Sequence, residues 1–256
     1  MSKQIVLERQ GEIAIIKVVR PEALNALSRS IVDDMDALVE QVGADRSVRV
    51  LLFYSEGSFA AGADIKAMSL CDEEGAKAFL FTPTYDKIQS LPIPTIAVIE
   101  GYAFGGGLEL ALRCDFRLAA KDAKLGLPEL NLGIIPGAGG TVLLPRLIGE
   151  AKAKELIYLS KTVTGAEAER IGLVNLAVEP GELLPTALQW AERLRTRSSL
   201  SLAAAKASIE NAIANPDFRS AGKTEGELWA GLFGHHDQKE GMAAFFEKRK
   251  PSFTGQ

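Results

Sequence analysis

The sequence predicts an α/β fold that gives way to an all-helical final third. Three observations carry this expectation. Short β-branched runs recur through the first 180 residues, helical patterns lie between them, and after Pro180 no strand pattern interrupts the helices. At 256 residues the chain is long enough for one large domain or two small ones. Residues 1–180 are expected to form the α/β body, and 181–256 a helical extension that is either a second core or an interface element.

The opening MSKQIVLERQ reads directly into a strand pattern. It has neither the apolar core of a signal peptide nor the Arg- and Ser-rich character of a transit segment. EIAIIKVV (12–19), RVLLFYS (49–55) and TIAVIEG (95–101) are β-branched-rich, end in Gly, Pro or Ser punctuation, and read as buried strands. FRLAA (116–120) and LVNLAV (173–178) are weaker members of the same set. Between the first two lies a helix over 28–42, opened by a Ser28 cap, with Ile31, Val32, Met35, Leu38, Val39 and Val42 on one face. Beyond Pro180, helices are expected over 183–194, 200–214, 225–233 and 239–248.

Composition narrows the function. Hydrophobic residues make up 47% and charged residues 24%, as in a soluble globular protein. The net charge of −4 provides no basic field for nucleic acid or an anionic membrane. Apolar stretches are broken well short of the roughly 18 residues a membrane span requires, so a soluble cytoplasmic protein is expected. Cys71 and Cys114 have no metal-like spacing and read as reduced thiols. The only histidines, His235 and His236, are adjacent and lie in the helical tail, and no GxSxG elbow supplies a nucleophilic serine. No His/Cys/Asp cluster is spaced for a metal.

The glycine-rich stretches are the distinctive feature. GGGLEL (105–110) and GAGGTV (137–142) each miss the third glycine of GxGxxG and neither carries GK[ST], which argues against a phosphate-cradling loop. Bare glycine turns at a helix start also expose backbone N–H groups in a favourable dipole. Gly105, Gly106 and Gly107 lead into a helix expected from about Leu108. In SFAAGADIKAM (58–68), Gly62 turns the chain and Asp64 opens a helical turn. Two N–H donors from separate loops are the makings of an oxyanion hole; ordinary tight turns are the alternative. Glu109 sits among Leu108, Leu110, Ala111 and Leu112, and Glu129 in GLPELNLGIIPGAGG is likewise bordered by apolar residues. A buried carboxylate has a raised pKa and is a candidate acid or base, whereas an exposed or capping glutamate does neither.

FAAGADIKAM (59–68), GYAFGGGLELALRCD (101–115) and LGLPELNLGIIPGAGG (125–140) closely resemble the signature segments of the crotonase superfamily, in particular the enoyl-CoA hydratases. RPEALNAL (20–27) and EGMAAFFEKRKPSF (240–253) resemble that family's terminal segments, so the likeness spans nearly the whole chain in order. It implies a spiral of repeated ββα units, followed by a helical region that forms homotrimers, commonly paired into hexamers, and completes the coenzyme A site. It makes Ala63 and Gly106 the N–H donors to a thioester oxygen, and Glu109 and Glu129 the pair that holds the water added to a 2-trans-enoyl-CoA. Gly137 matches a glycine whose amide helps orient the catalytic region. Ala23, Leu24, Ala63, Asp64, Ile65 and Lys66 match positions that contact coenzyme A, and Lys248 one that reaches its nucleotide end, often in an adjacent subunit. Coenzyme A enters as part of the substrate, and no separate cofactor or metal is expected.

Leu127, Leu143, Leu144 and Glu22 depart from the common hydratase pattern without removing a catalytic group. Two other functions stand beside hydration. An enoyl-CoA isomerase of the same fold needs only one carboxylate, and the presence of both Glu109 and Glu129 favours hydration. A non-catalytic RNA-binding relative would need a basic stripe, against which the acidic balance argues.

Overall fold

The computed structural model describes residues 4–256. The chain begins as an antiparallel pair, β1 (Ile5–Gln10) and β2 (Ile13–Val18). Helix α1 (Arg29–Ala44) follows, with the Ser28 hydroxyl accepting the Ile31 N–H as its cap, and buries Ile31, Val32, Met35, Val39 and Val42. After β3 (Val50–Tyr54) come three short helices, α2 (Ile65–Met68), α3 (Glu73–Ala78) and α4 (Thr82–Ser90). Next come β4 (Thr95–Ile99), β5 (Tyr102–Phe104), α5 (Gly106–Leu112), β6 (Phe116–Ala120) and β7 (Lys124–Gly126). A 3-10 turn (Glu129–Leu132) leads to α6 (Gly140–Ile148), α7 (Glu150–Tyr158), β8 (Val163–Thr164), α8 (Gly165–Arg170) and β9 (Leu176–Val178). Helices α9 (Leu183–Arg195), α10 (Ser199–Ala214), α11 (Phe218–Leu232) and α12 (His236–Phe246) complete the chain.

Six strands form one sheet in the order β1-β2-β3-β4-β6-β9, parallel from β2 onward. β3 and β4 are buried at every position, which is why they read as unbroken apolar runs rather than alternating ones. A second sheet, β5-β7-β8, takes the short strand that follows each long one, β4 into β5 and β6 into β7. An isolated bridge from Ala60 to Ala103 extends the same stepping to β3. The chain thus alternates between two layers and returns by a helix, giving a spiral of ββα units. No helix among the described residues is long and apolar enough to cross a membrane.

Strands were expected at all six positions where the main sheet forms, and for β2, β3, β4 and β6 the ends agree within two residues. At 173–178 only Leu176–Val178 pairs, because Leu173 and Val174 turn into the core at the end of α8 and Asn175 hydrogen-bonds to the Arg117 backbone through its N–H and its side-chain carbonyl. Helix α11 starts at Phe218 instead of 225, because Asp217 caps it by accepting the Arg219 N–H. Helix α9 packs on the main sheet through Leu183, Ala187 and Ala191, with Trp190 edge-on to Phe116 of β6. By contrast α10 and α11, which pack on each other, have no buried residue, and Phe218, Trp229, Phe245 and Phe246 are all more than half exposed.

Candidate active site

A cavity of about 270 Å³ opens where three glycine-rich turns meet. Its wall includes Ala63, Ile65, Phe81, Gly106, Glu109 and Glu129. The Ala60–Ala103 bridge, with Phe104 N–H donating to Ala60 O at 3.1 Å, lays the 60–63 turn beside the start of α5. A second bridge, Leu27 to Ala63, lays the 20–27 segment on the other side of that turn. Leu27 donates its N–H to Gly62 O at 2.8 Å, and Asp64 donates to Leu27 O at 2.9 Å.

Each glycine of the triplet answers a different demand. Gly105 caps α5 at φ +48°, a conformation that side chains disfavour, and a Cβ there would stand 3.1 Å from Glu129 Oε1. Its N–H donates to Gly126 O at 3.0 Å and is not free for a ligand. A Cβ on Gly107 would lie 2.2 Å from Ala60 O, closer than any contact allows. One on Gly106 would stand 3.1 Å from the Phe81 ring and 3.8 Å from the Ala63 nitrogen. The helix therefore begins at Gly106, two residues before the expected Leu108. Neither the Ala63 nor the Gly106 N–H has a backbone acceptor among the described residues, and both residues border the cavity.

The two glutamates are both buried but differently hydrogen-bonded. Glu109, on α5, is 3% exposed, and its Oε1 accepts the N–H of Ala138 at 2.7 Å and of Gly140 at 2.8 Å. Burial pushes its carboxyl above the ordinary range, while the Gly140 and Ala138 amides, the Arg113 charge and, least, the Gly137 amide pull it back. Glu129, in the 3-10 turn, is 9% exposed, and its Oε2 is buried without a hydrogen-bond partner. Burial, reinforced by the Glu109 charge, pushes it up to about 7. One carboxyl has its burial partly offset by donors on one oxygen, and the other, with an unpartnered oxygen, is poised to carry a proton near neutrality.

The remaining expected positions distribute around this centre. Leu24 and Asn25 both have positive φ, 50° and 58°. Buried Asn25 fastens that bend, accepting Arg20 N–H at 2.8 Å and donating to Ser58 O at 2.6 Å. Ala23 is half-buried and Leu24 exposed, and Leu24 O accepts the Ala61 N–H, so both flank the turn that carries Ala63. Asp64 caps α2 through the Ala67 N–H and pairs with Arg20 at 2.8 Å; Ile65 lines the cavity and Lys66 is exposed. Gly137 lines the cavity and its carbonyl accepts the Thr82 hydroxyl at 3.1 Å. Lys248, just after α12 at φ +56°, is exposed and does not border the cavity of its own chain, nor do His235 and His236. Leu127 and Leu144 are core residues beneath the 137–140 turn and the helix that follows it. No group of three or more His, Cys, Asp or Glu is placed to hold a metal among the described residues.

Four site residues carried no signal in the sequence. Phe81 walls the cavity over Gly106, Tyr85 donates its hydroxyl to Gly106 O at 2.8 Å, Thr82 holds Gly137, and Arg113 donates to Ala138 O. All act through backbone carbonyls or ring faces rather than through a motif.

Known proteins resemble this chain over nearly its whole length. The pattern of the family described as enoyl-CoA hydratase/isomerase matches residues 8–256. The chain is 40% identical over 255 residues to a protein of Syntrophomonas wolfei named crotonyl-CoA hydratase, covering 98% of each. It is 38% identical over 250 residues to the short-chain-enoyl-CoA hydratase of Clostridium acetobutylicum, covering 96% of this chain and 95% of that one. The crystal structure of an enoyl-CoA hydratase subunit I from Geobacillus kaustophilus superposes with a TM-score of 0.95 at 39% identity, covering 99% of both chains. From a whole-length match in sequence and in the ββα spiral alike, the chain belongs to the enoyl-CoA hydratase/isomerase family.

Proposed function

We propose that the protein is an enoyl-CoA hydratase that adds water across the C2=C3 bond of a short-chain 2-trans-enoyl-CoA to give the 3-hydroxyacyl-CoA. The observation that carries this reading is the unequal pair of glutamates in one apolar cavity bordered by the Ala63 and Gly106 amides. In this reading those two N–H groups bind the thioester oxygen and stabilise the negative charge that grows there; a donor of this kind is worth about 2.7–4 kcal/mol. Glu109 takes a proton from the water as its oxygen bonds to C3. Glu129 gives a proton to C2, and a proton passed back from Glu109 to Glu129 restores the resting pair. Each group contributes about 10²–10⁴-fold. The names of the relatives from Syntrophomonas and Clostridium support a short acyl chain.

Coenzyme A would lie along the exposed backbone at Ala23, Leu24 and Asp64–Lys66, with Gly137 keeping the Glu109 turn in place. The exposed aromatic residues of α11 and α12 support assembly into trimers or pairs of trimers, in which Lys248 of a neighbouring subunit would reach the nucleotide end. No further cofactor enters this chemistry. Incubation with crotonyl-CoA and mass analysis of the product tests it. Gain of one water supports hydration; an isomerised thioester of unchanged mass from a 3-enoyl-CoA, with no hydration, would overturn it.

A further inference from the structure

Three side-chain donors and one acceptor atom converge on the 137–140 turn. Its N–H groups at Ala138 and Gly140 face inward onto Glu109 Oε1. Its carbonyls at Gly137 and Ala138 face the other way. Thr82 Oγ1 donates to Gly137 O at 3.1 Å, and Arg113 donates to Ala138 O from Nη2 at 3.2 Å and from Nε at 3.4 Å. The Ala138 carbonyl belongs to the peptide lying between the two that donate to Glu109, so the guanidinium grips the middle of the turn. Arg113 is itself fixed: Nη1 donates to Gln89 Oε1 at 2.7 Å and pairs with Asp86 Oδ1 at 2.7 Å, both on α4, and its side chain is only 11% exposed. Gly139, at φ +121°, must be glycine for the same reason, since a Cβ would lie 3.0 Å from Arg113 Nη2.

We propose that Arg113 is a positioning residue for the acid–base pair: it holds the 137–140 turn so that two amides converge on Glu109. The proposal rests on the hydratase reading only in assigning Glu109 as the base. A guanidinium suits the task because its planar fork places two N–H groups on one carbonyl while a third nitrogen reaches α4. Glu109 faces Glu129 from the 3-10 turn, Tyr85 from α4 and Arg113 from its own segment, with Asp86 behind the arginine. Among these Arg113 is the positive group, and its charge lowers the Glu109 carboxyl. Removing it slackens the two amides and removes that charge, and both changes make Glu109 harder to ionise.

The test compares the intact protein with Arg113→Met and Arg113→Lys. The expected result for Arg113→Met is a kcat lower by about ten- to a hundredfold with KM little changed, because a misplaced base costs the chemical step. The acid limb of its kcat/KM profile moves to higher pH. The carbon-13 titration of the Glu109 carboxyl, assigned with Glu109→Gln, moves the same way in the free protein. Arg113→Lys keeps the charge but cannot span Ala138, Gln89 and Asp86, so the acid limb returns towards that of the parent while kcat stays reduced. An unchanged acid limb and an unchanged carboxyl titration, with loss only of thermal stability, would overturn the proposal. If Arg113→Met does not fold, Arg113→Gln, which also removes the charge, carries the same comparison. If the parent protein hydrates no enoyl-CoA, the functional reading fails, while the carboxyl titration still decides what Arg113 does to Glu109.

Discussion

Oε1 of Glu109 accepts the Ala138 N–H at 2.7 Å, and through that bond helix α5 is tied to the turn that precedes α6. The same oxygen takes the Gly140 N–H, so one atom completes the hydrogen bonding of two buried amides. This geometry separates two substitutions. Glu109→Gln retains a carbonyl oxygen that accepts both N–H groups, and is expected to fold as the parent does while kcat falls at least about 10²-fold. Glu109→Ala leaves both amides unpaired in the core and is expected to lose stability as well, about 1–3 kcal/mol for each. Denaturant melts beside initial rates with crotonyl-CoA make the comparison. Parent-like turnover in Glu109→Gln would remove the residue from the mechanism.

Glu129 yields a prediction about stability as well as rate. Its carboxyl stands at about 7 in the folded protein against an ordinary value of 4.5. Below that ordinary value the folded and unfolded chains both hold the proton, and burial of the neutral group costs little. As pH rises from there towards 7 the unfolded chain ionises first, so stability drains away across this window, by up to roughly 3 kcal/mol once both states are ionised. Glu129→Gln cannot ionise, and is expected to be more stable than the parent above pH 7 with the difference vanishing at acid pH, while kcat falls at least about 10²-fold. Thermal melts across pH check the sign. A destabilised variant at alkaline pH would show that the carboxylate is satisfied in the fold.

The sequence made some of this legible for definite physical reasons. Strands β3 and β4 stood out because burial on both faces demands unbroken apolar runs, and α1 because one face alone meets the core. The strands β5, β7 and β8 gave no pattern, since two or three residues are too few for a period. Yet β5 borders the cavity through Phe104 and β7 pairs with it, so the spiral came from resemblance and not from periodicity. Gly106 and Glu109 were visible as an incongruity, glycines beside a carboxylate in an apolar helix. Arg113 and Thr82 were not, because each works through a backbone carbonyl 25 and 55 positions away.

The tail carries the prediction on assembly. Trp229 and Phe233 stack edge-on at 4.6 Å, Phe245 and Phe246 at 5.8 Å, and most of this aromatic surface faces outward. An apolar area of this kind is covered in stable proteins. Light scattering is expected to give three or six times the mass of the chain. Phe245→Asp combined with Phe246→Asp is expected to shift the mass downward, with the α/β body still folded by circular dichroism. A parent protein that runs as a monomer at micromolar concentration would refute the assembly.

The last prediction concerns Gly106, where space and chemistry coincide. A Cβ there would stand 3.1 Å from the Phe81 ring, which also packs against Phe79 and Tyr85. Gly106→Ala therefore requires the packed Phe81 ring to give by a few tenths of an ångström, while the backbone at the helix start stays in place. The same methyl would lie 3.8 Å from the Ala63 nitrogen, at the point where a thioester oxygen would approach the two amides. An oxygen displaced from those amides loses most where its charge is greatest, which is the transition state rather than the ground state. The expected outcome is a fall in kcat of about 10²-fold or more, with binding of a 3-hydroxyacyl-CoA product weakened much less. Gly106→Val, which adds two further methyls against Phe81, should lower kcat more and begin to cost stability. The opposite split, kcat retained and affinity lost in a folded Gly106→Ala protein, would mean that the glycine makes room for the ligand and its N–H takes no part in the chemistry.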